Sequence, residues 1–90
     1  MELNKNIARG LATFAVKYMQ LAYGPMYDGK PDAVYRNGEI LKGIVESFRP
    51  KISIHSYNYD GKGNGSIIIK NNLDFVIYEF YFNNFKISEE

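Results

Sequence analysis

Hydrophobic residues near the start of the chain recur at intervals of three and four positions. The repeat consists of Leu3, Ile7, Leu11, Phe14, Ala15, Tyr18, Met19 and Ala22, and the opposite side carries Lys5, Arg9, Thr13, Lys17 and Gln20. This period predicts an amphipathic helix from Leu3 to Tyr23. Asn4 or Asn6 supplies the side-chain cap at its start. Gly24-Pro25 ends the helix, because proline does not continue one.

The next segment, Gly24 to Gly38, carries turn signals and no clear hydrophobic period. It contains the pairs Gly-Pro, Asp-Gly, Lys-Pro and Asn-Gly, which favour a loop. One alternative is a helix that starts at Pro31 and encloses Gly38 and Gly43, at up to about 1 kcal/mol each relative to alanine. Another is a hairpin that turns on Asn37-Gly38.

A helical period farther along decides between these alternatives. Ile40, Leu41, Ile44, Val45 and Phe48 fit one face of a helix and do not alternate. We therefore predict that the second helix runs from Glu39 to Phe48, with Asn37 or Gly38 as its cap. Arg49 suits the negative end of the helix dipole, and Pro50 ends the helix.

The remainder of the chain alternates strand-like apolar runs with breaks rich in glycine and asparagine, which predicts an antiparallel meander. The predicted strands are Lys51 to Tyr59, Ser66 to Lys70, Leu73 to Phe82 and Phe85 to Ile87, with breaks at 60–65, 71–72 and 83–84. The first strand has Ile52 and Ile54 on its core side and Ser53, His55, Tyr57 and Tyr59 on its other side. We predict one α+β domain over residues 1–90, with two N-terminal helices packed on one face of a three- to four-stranded antiparallel meander.

The strand predicted for Leu73 to Phe82 is apolar on both of its sides. Leu73, Phe75, Ile77 and Tyr81 alternate with Val76, Tyr78, Phe80 and Phe82. Strands of this kind are covered on both faces, whereas two helices cover only one. The segment 24–38, a second copy of the chain or a partner must cover the other face, because monomers rarely expose large apolar patches.

Composition and charge narrow the class of protein. The 90 residues include no cysteine, which excludes a disulfide scaffold and a cysteine zinc site. The formal net charge of +1 is low for a dedicated nucleic-acid-binding domain. Neither a signal peptide nor a membrane-spanning run is evident, so we expect a cytoplasmic protein. Frequent Asn, Ile, Lys, Tyr and Phe indicate an A/T-rich genome, such as that of a low-GC bacterium or its phage.

No group of residues indicates a catalytic or metal site. His55 is the only histidine, and the chain around it offers neither a nucleophile elbow nor a second metal ligand. Gly61 to Ser66 has the glycine content of a phosphate-binding loop but the wrong order, and it precedes a strand. The carboxylates are scattered along the chain. We expect no catalytic residue, metal or cofactor.

The favoured hypothesis is a small non-enzymatic protein-binding module, such as an inhibitor or accessory protein of a phage or another mobile element. Its expected partner is another protein or a second copy of itself, and no membrane. The predicted binding residues are Tyr27, Tyr35, His55, Tyr57, Tyr59 and Lys62, since tyrosine combines contact area with a polar group. One alternative is a single-stranded nucleic-acid binder that uses sheet aromatics and lysines. The second is a toxin-like RNA-cleaving enzyme that uses His55.

Overall fold

The computed structural model describes residues 2–23 and 31–88, which form two helices followed by four strands. The elements are α1 (Lys5–Tyr23), α2 (Pro31–Glu46), β1 (Ser53–Tyr57), β2 (Gly65–Lys70), β3 (Val76–Asn83) and β4 (Lys86–Ile87). The strands form one antiparallel sheet in the order β1-β2-β3-β4. The predicted α+β class and the antiparallel meander are therefore confirmed.

Helix α1 begins after Asn4, whose side chain caps it. Asn4 Oδ1 accepts a hydrogen bond of 2.9 Å from the Ile7 amide, which satisfies one of the amides that a helix start leaves free. The buried residues of α1 are Ala8, Leu11, Ala12, Ala15, Val16 and Met19. Three of them are alanines, which let the helix lie close to the strands. Ile7, which we predicted on the buried side, is exposed.

The predicted start of the second helix at Glu39 is wrong, because α2 already begins at Pro31. Proline suits the first helical position, where no intrahelical amide bond is needed. The Asn37-Gly38 pair lies inside the helix and does not form a turn. A Cβ on Gly38 would lie 3.3 Å from Tyr18 Cε2, so the missing side chain makes room for that ring. This contact between the helices offsets the low helix propensity of glycine.

The C-terminal end of α2 lies at Glu46 and is closed by Arg49. The guanidinium Nη1 donates hydrogen bonds of 2.7 Å to the carbonyl oxygens of Glu46 and Phe48. These bonds provide donors for carbonyl groups at the end of the helix that have no hydrogen-bond donor within it. The chain then buries Phe48 and Ile52, which are 1% and 5% exposed, before it enters β1.

The two helices differ in their contacts with the sheet. Helix α1 contacts β2, β3 and β4, whereas the main contacts of α2 are with α1. The strand residues Ile67, Ile69, Phe80 and Phe82 are buried and complete the core. The prediction that both helices pack on the sheet is not confirmed. Within the described residues, neither helix has the length and apolar character that crossing a membrane requires.

The loop between β1 and β2 folds around the carboxylate of Asp60. This carboxylate accepts hydrogen bonds from the Lys62 amide at 2.7 Å and from the Asn64 side-chain amide at 2.7 Å. The Asn64 side-chain bond, followed by the Lys62 amide bond, lowers the pKa of Asp60 from its ordinary value of 3.8. Gly63 has φ 103°, and a Cβ there would lie 2.8 Å from Phe85 Cε2. The loop therefore packs directly on the β3–β4 turn.

Candidate functional site

The sheet has a core-facing side and a side that we call the outer face. The pairing register gives the outer face three rows of side chains: Tyr57, Ser66 and Tyr81 in the first, His55, Ile68 and Glu79 in the second, and Ser53, Lys70 and Val76 in the third. Successive residues of a strand point to opposite sides. Ile67 and Phe80, the neighbours of these residues along β2 and β3, are accordingly buried on the core-facing side.

Two tyrosines dominate the first row of the outer face. Tyr57 is 55% exposed and Tyr81 is 63% exposed, whereas Ser66 between them is 2% exposed. The Ser66 hydroxyl donates a 3.3 Å hydrogen bond to the Tyr57 carbonyl oxygen. The Tyr81 hydroxyl donates one of 3.3 Å to Glu79 Oε1. The row therefore presents two large rings with polar ends on regular strands, a combination that is enriched at interfaces.

His55 forms a surface pair with Ser53 on the same strand. Its Nε2 lies 3.0 Å from Ser53 Oγ. A catalytic triad also needs an acid that orients the imidazole. Glu79, the carboxylate in the same row, is two strands away, about 10 Å at the usual strand spacing. In residues 2–23 and 31–88, no three His, Cys, Asp or Glu side chains form a group that could hold a metal ion.

Tyr59 does not lie on the outer face, so its predicted placement beside His55 and Tyr57 is wrong. β1 ends at Tyr57, and Asn58 takes a left-handed conformation with φ 56°. That residue breaks the alternation on which the prediction rested. The Tyr59 ring packs against the core instead, with centroids 6.2 Å from the Phe82 ring and 6.3 Å from the Phe85 ring.

The other predicted residues are not on the outer face, or their side chains are not described. Lys62 is exposed in the β1–β2 loop. Tyr27 lies outside the described residues. Tyr35 lies in α2, and its side chain lies outside the described part of the chain. Of the predicted side chains that the structure describes, His55 and Tyr57 share the outer face.

The connection from β2 to β3 and the first two residues of β3 carry exposed side chains that sequence reasoning did not assign to a site. Leu73, Phe75, Val76 and Ile77 are 68%, 65%, 52% and 41% exposed, respectively. We call these four residues the apolar end. The sequence signal that could have identified them is the strand pattern that is apolar on both sides.

The side chain of Asn71 holds the first part of the apolar end, Leu73 and Phe75, in a turn. Its Oδ1 accepts hydrogen bonds from the amides of Leu73 at 2.9 Å and Phe75 at 3.0 Å. The predicted two-residue turn and the strand start at Leu73 are therefore wrong, because β3 begins at Val76. Asp74 has φ 68° and forms a 3.2 Å ion pair with Lys70. These bonds fix a turn from which Leu73 and Phe75 project into solvent.

A separate cavity of about 520 Å³ lies between α1, α2 and β1, and we call it the interhelix pocket. Its apolar lining consists of Ala15, Tyr18 and Met19 from α1, Leu41 from α2, and Ile54 and Ile67 from the sheet. His55, Ser56, Tyr59 and Gly61 complete the lining, although the Tyr59 hydroxyl itself is shielded from solvent. No sequence pattern indicates this cavity, because it depends on how the two helices and the sheet are arranged.

The fold places the chain in the class of small α+β proteins with an antiparallel sheet. Comparisons with protein families, with curated proteins and with solved structures gave no match. The functional argument therefore depends on the residues and the geometry described above.

Proposed function

We propose that this chain is a small non-enzymatic protein-binding module, and that the outer face and the apolar end form its binding surface. The observation that carries the proposal is the exposure of the apolar end, where four large apolar side chains are 41% to 68% exposed. Apolar patches on a protein surface often mark sites of interaction, because leaving them in water is unfavourable.

The apolar end and the outer face lie next to each other along β3. Glu79 and Tyr81 alternate with inward residues on this strand, and Ile77 lies at the irregularity in the β2–β3 register. The apolar end is therefore followed along β3 by the row of Glu79 and then by the row of Tyr81. A partner would bury the apolar and aromatic side chains at the centre of the contact. His55 and Glu79 would then form hydrogen bonds nearer its rim, which is the usual arrangement in protein interfaces.

The proposal includes a layer arrangement in which the helices cover the core-facing side of the sheet. The contacts of α1 with β2, β3 and β4 support this arrangement, as does the packing of α2 on α1. The burial of Ile67, Ile69 and Phe80 on the core-facing side supports it too. With both helices on that side, the outer face remains for a partner.

The expected partner is another protein. Nucleic-acid binding depends on lysines and arginines that neutralise phosphates, but the net charge of the chain is only +1. Lys70, at the end of β2, is paired with Asp74 at 3.2 Å, and Glu79 adds a negative charge to the outer face. This mixture of charges suits a protein surface better than a phosphate backbone.

The proposal can be tested by comparative affinity capture from a cell extract with three immobilised forms of the chain. These are the wild type, the double variant Leu73→Ser/Phe75→Ser and the control Ile40→Ser. Ile40 is 46% exposed on α2, so the control removes apolar exposure from a different surface. We expect a protein that the wild type and the control retain and the double variant loses. Equal retention by all three forms would contradict the proposal.

Two further measurements distinguish the other possible occupants of this surface. Light scattering is expected to give a monomer for the purified wild type. A dimer that dissociates in the double variant would assign the surface to a second copy of the chain. Captured material that disappears after nuclease treatment would assign the surface to nucleic acid.

A further inference from the structure

Strand β3 has a neighbouring strand on both of its sides only at its C-terminal end. On one side it pairs with β4, which is two residues long and pairs with the last two residues of β3. The described pairing on this side ends with the 2.9 Å bond from the Ser88 amide to the Tyr81 carbonyl oxygen. Within the described part of the chain, residues 76–80 therefore have a neighbouring strand on the β2 side alone. We call the unpaired side of residues 76–80 the free edge.

The backbone of Glu79 points towards the free edge. In an antiparallel strand the N–H and C=O groups of one residue point to the same side, and this side alternates from residue to residue. Tyr81 accepts its bond from Ser88 on the β4 side, so Glu79, two residues earlier, directs its N–H and C=O groups the same way. Such an edge is a template on which a further strand can pair. The addition of an extended segment to a sheet edge is a recurring mode of peptide recognition.

Positively charged residues of α1 flank the free edge. A groove beside it, which we call the edge groove, is lined by Lys5, Arg9, Glu79, Phe80, Tyr81 and Ser88. The Arg9 guanidinium carbon lies 5.8 Å from the centre of the Phe80 ring, which places Arg9 on the core-facing side of the sheet. A second groove continues along α1 beside β4, and its lining includes Arg9, Lys17 and Lys86. The two grooves together present the charges of Lys5, Arg9, Lys17 and Lys86 against the single carboxylate of Glu79.

The two sides of the free edge differ in chemical character. The Glu79 carboxylate accepts a 3.3 Å hydrogen bond from the Tyr81 hydroxyl, and both side chains lie on the outer face. The cations of α1 lie on the core-facing side. A strand added at the free edge would direct its side chains alternately to these two sides. Its core-facing residues would approach Lys5 and Arg9, whereas its outer residues would lie beside the exposed side chains of Val76 and Tyr81.

We propose that the partner protein contributes an extended segment, in which acidic and apolar residues alternate, and that this segment adds to the free edge as a fifth strand. The inference rests on the proposed function, because it names the part of the partner that binds. The acidic residues would face the cations of α1, and the apolar residues would extend the outer face. Complementary charges of this kind favour association and fix the register. A second copy of the chain is a poorer occupant, because its own α1 cations would approach those of the first copy.

Two short synthetic peptides with blocked ends test this proposal. One alternates valine with glutamate, and the other alternates valine with lysine. Each is titrated into ¹⁵N-labelled protein, and the backbone amide signals are followed by NMR. The glutamate peptide should shift the amide signals of Glu79 and its neighbours in β3 saturably, and should leave those of β1, at the opposite edge of the sheet, unchanged. It should bind at least about tenfold more tightly than the lysine peptide, and its binding should weaken as salt is added.

Proline and alanine at position 79 form a matched pair of variants. Proline lacks the amide hydrogen that Glu79 directs to the free edge, and it is tolerated in edge strands where that hydrogen faces solvent. Glu79→Pro should therefore abolish saturable binding of the glutamate peptide. Glu79→Ala keeps the amide hydrogen and removes a negative charge, so it should bind this peptide at least as tightly as the wild type does. Thermal denaturation checks that both variants are folded.

A second pair of variants tests the charges and leaves the backbone of β3 unaltered. Lys5→Glu should weaken binding of the glutamate peptide about three- to tenfold, because Lys5 lines the edge groove. Lys42→Glu alters the net charge equally at an exposed position of α2. This control should bind within about twofold of the wild type, because distant surface charges are screened.

Each of four results would overturn the proposal. They are the absence of saturable shifts with the glutamate peptide, shifts confined to α1, binding that persists in Glu79→Pro, and binding that appears only in a form lacking residues 89–90. A wild-type dimer that Glu79→Pro dissociates would likewise assign the free edge to a second copy. The proposed function fails by a different result, namely equal protein capture by the wild type and Leu73→Ser/Phe75→Ser. If the peptides fail while capture still requires Leu73 and Phe75, only the added strand is refuted.

Discussion

Tyr57 and Tyr59 lie two residues apart, yet they have different surroundings. Tyr57 is 55% exposed on the outer face, whereas Tyr59 packs on the rings of Phe82 and Phe85. The left-handed conformation of Asn58 separates them. A binding role for the outer face therefore concerns Tyr57, and a change at Tyr59 would act first on the core.

We expect the two tyrosines to differ in their contribution to stability. Tyr57→Ala should change the free energy of unfolding by less than about 0.5 kcal/mol, since it alters a surface side chain. Tyr59→Ala should lower it by about 2–3 kcal/mol, because the packed ring is removed. Tyr59→Phe should leave it unchanged or raise it slightly, since the lost hydroxyl has no described partner. Urea denaturation measures all three, and equal losses for the two alanine variants would refute this placement.

We expect the stability contributed by the β1–β2 loop to depend on pH, because the loop is held by the Asp60 carboxylate. Hydrogen bonds from the Asn64 side chain and the Lys62 amide hold the folded-state pKa of Asp60 below 3.8. The stabilisation by the carboxylate is therefore fully present above the unfolded-state pKa, and it is lost as the pH falls through the folded-state pKa.

The pH effect is tested by comparing the wild type with Asp60→Asn. The variant should be the less stable protein at pH 7, and the difference should narrow as the pH is lowered from about 5 to about 2. Thermal denaturation at a series of pH values measures this difference, and the other carboxylates largely cancel in it. A difference that is constant with pH would show that the Asp60 carboxylate does not stabilise the loop.

Among the secondary-structure elements, α2 is the helix whose observed extent differs most from the predicted one. It includes Gly38 and Gly43, and their surroundings differ. A Cβ on Gly43 meets nothing within 4 Å, whereas a Cβ on Gly38 would lie 3.3 Å from the Tyr18 ring. One glycine is therefore open to substitution, while the other shapes the contact between the helices.

Alanine at these two positions tests whether α2 extends through residue 38. Gly43→Ala should raise the free energy of unfolding by up to about 1 kcal/mol, because alanine has the higher helix propensity. Gly38→Ala should raise it by less, because the Tyr18 ring must shift by a few tenths of an ångström. Chemical denaturation gives both values. A larger gain at Gly38 than at Gly43 would contradict the described packing of α2 on α1.

For the whole molecule, the proposed function depends mainly on the strand in residues 73–82 that is apolar on both sides. This pattern is visible in the sequence. The alternation in residues 73–82 predicts that one side of the sheet needs a cover. In the structure Phe80 and Phe82 are buried, while Ile77 and Tyr81 are exposed. Sequence periodicity could therefore predict the α+β class and the antiparallel meander.

Other features depend on contacts that the sequence does not reveal. In the sequence, Gly38 indicates a turn. In the structure, the Tyr18 ring occupies the space that a side chain at position 38 would need. The alternation that assigned Tyr59 to the outer face is broken by a single left-handed residue, Asn58. Leu73 and Phe75 leave the strand because the side chain of Asn71 bonds to their amides. At Gly38 a tertiary contact overrides the propensity of the segment, and at Leu73 and Phe75 a local side-chain bond does so.

The most direct test of the central claim is a calorimetric titration of the captured partner protein with the wild type, Leu73→Ser/Phe75→Ser and Ile40→Ser. All three forms should unfold at similar temperatures, because the altered residues are exposed. The control should bind within about twofold of the wild type. The double variant should bind at least about 30-fold more weakly, which corresponds to a loss of about 2 kcal/mol from two buried anchors. Equal affinity of the double variant and the wild type would contradict the assignment of the apolar end to the binding surface.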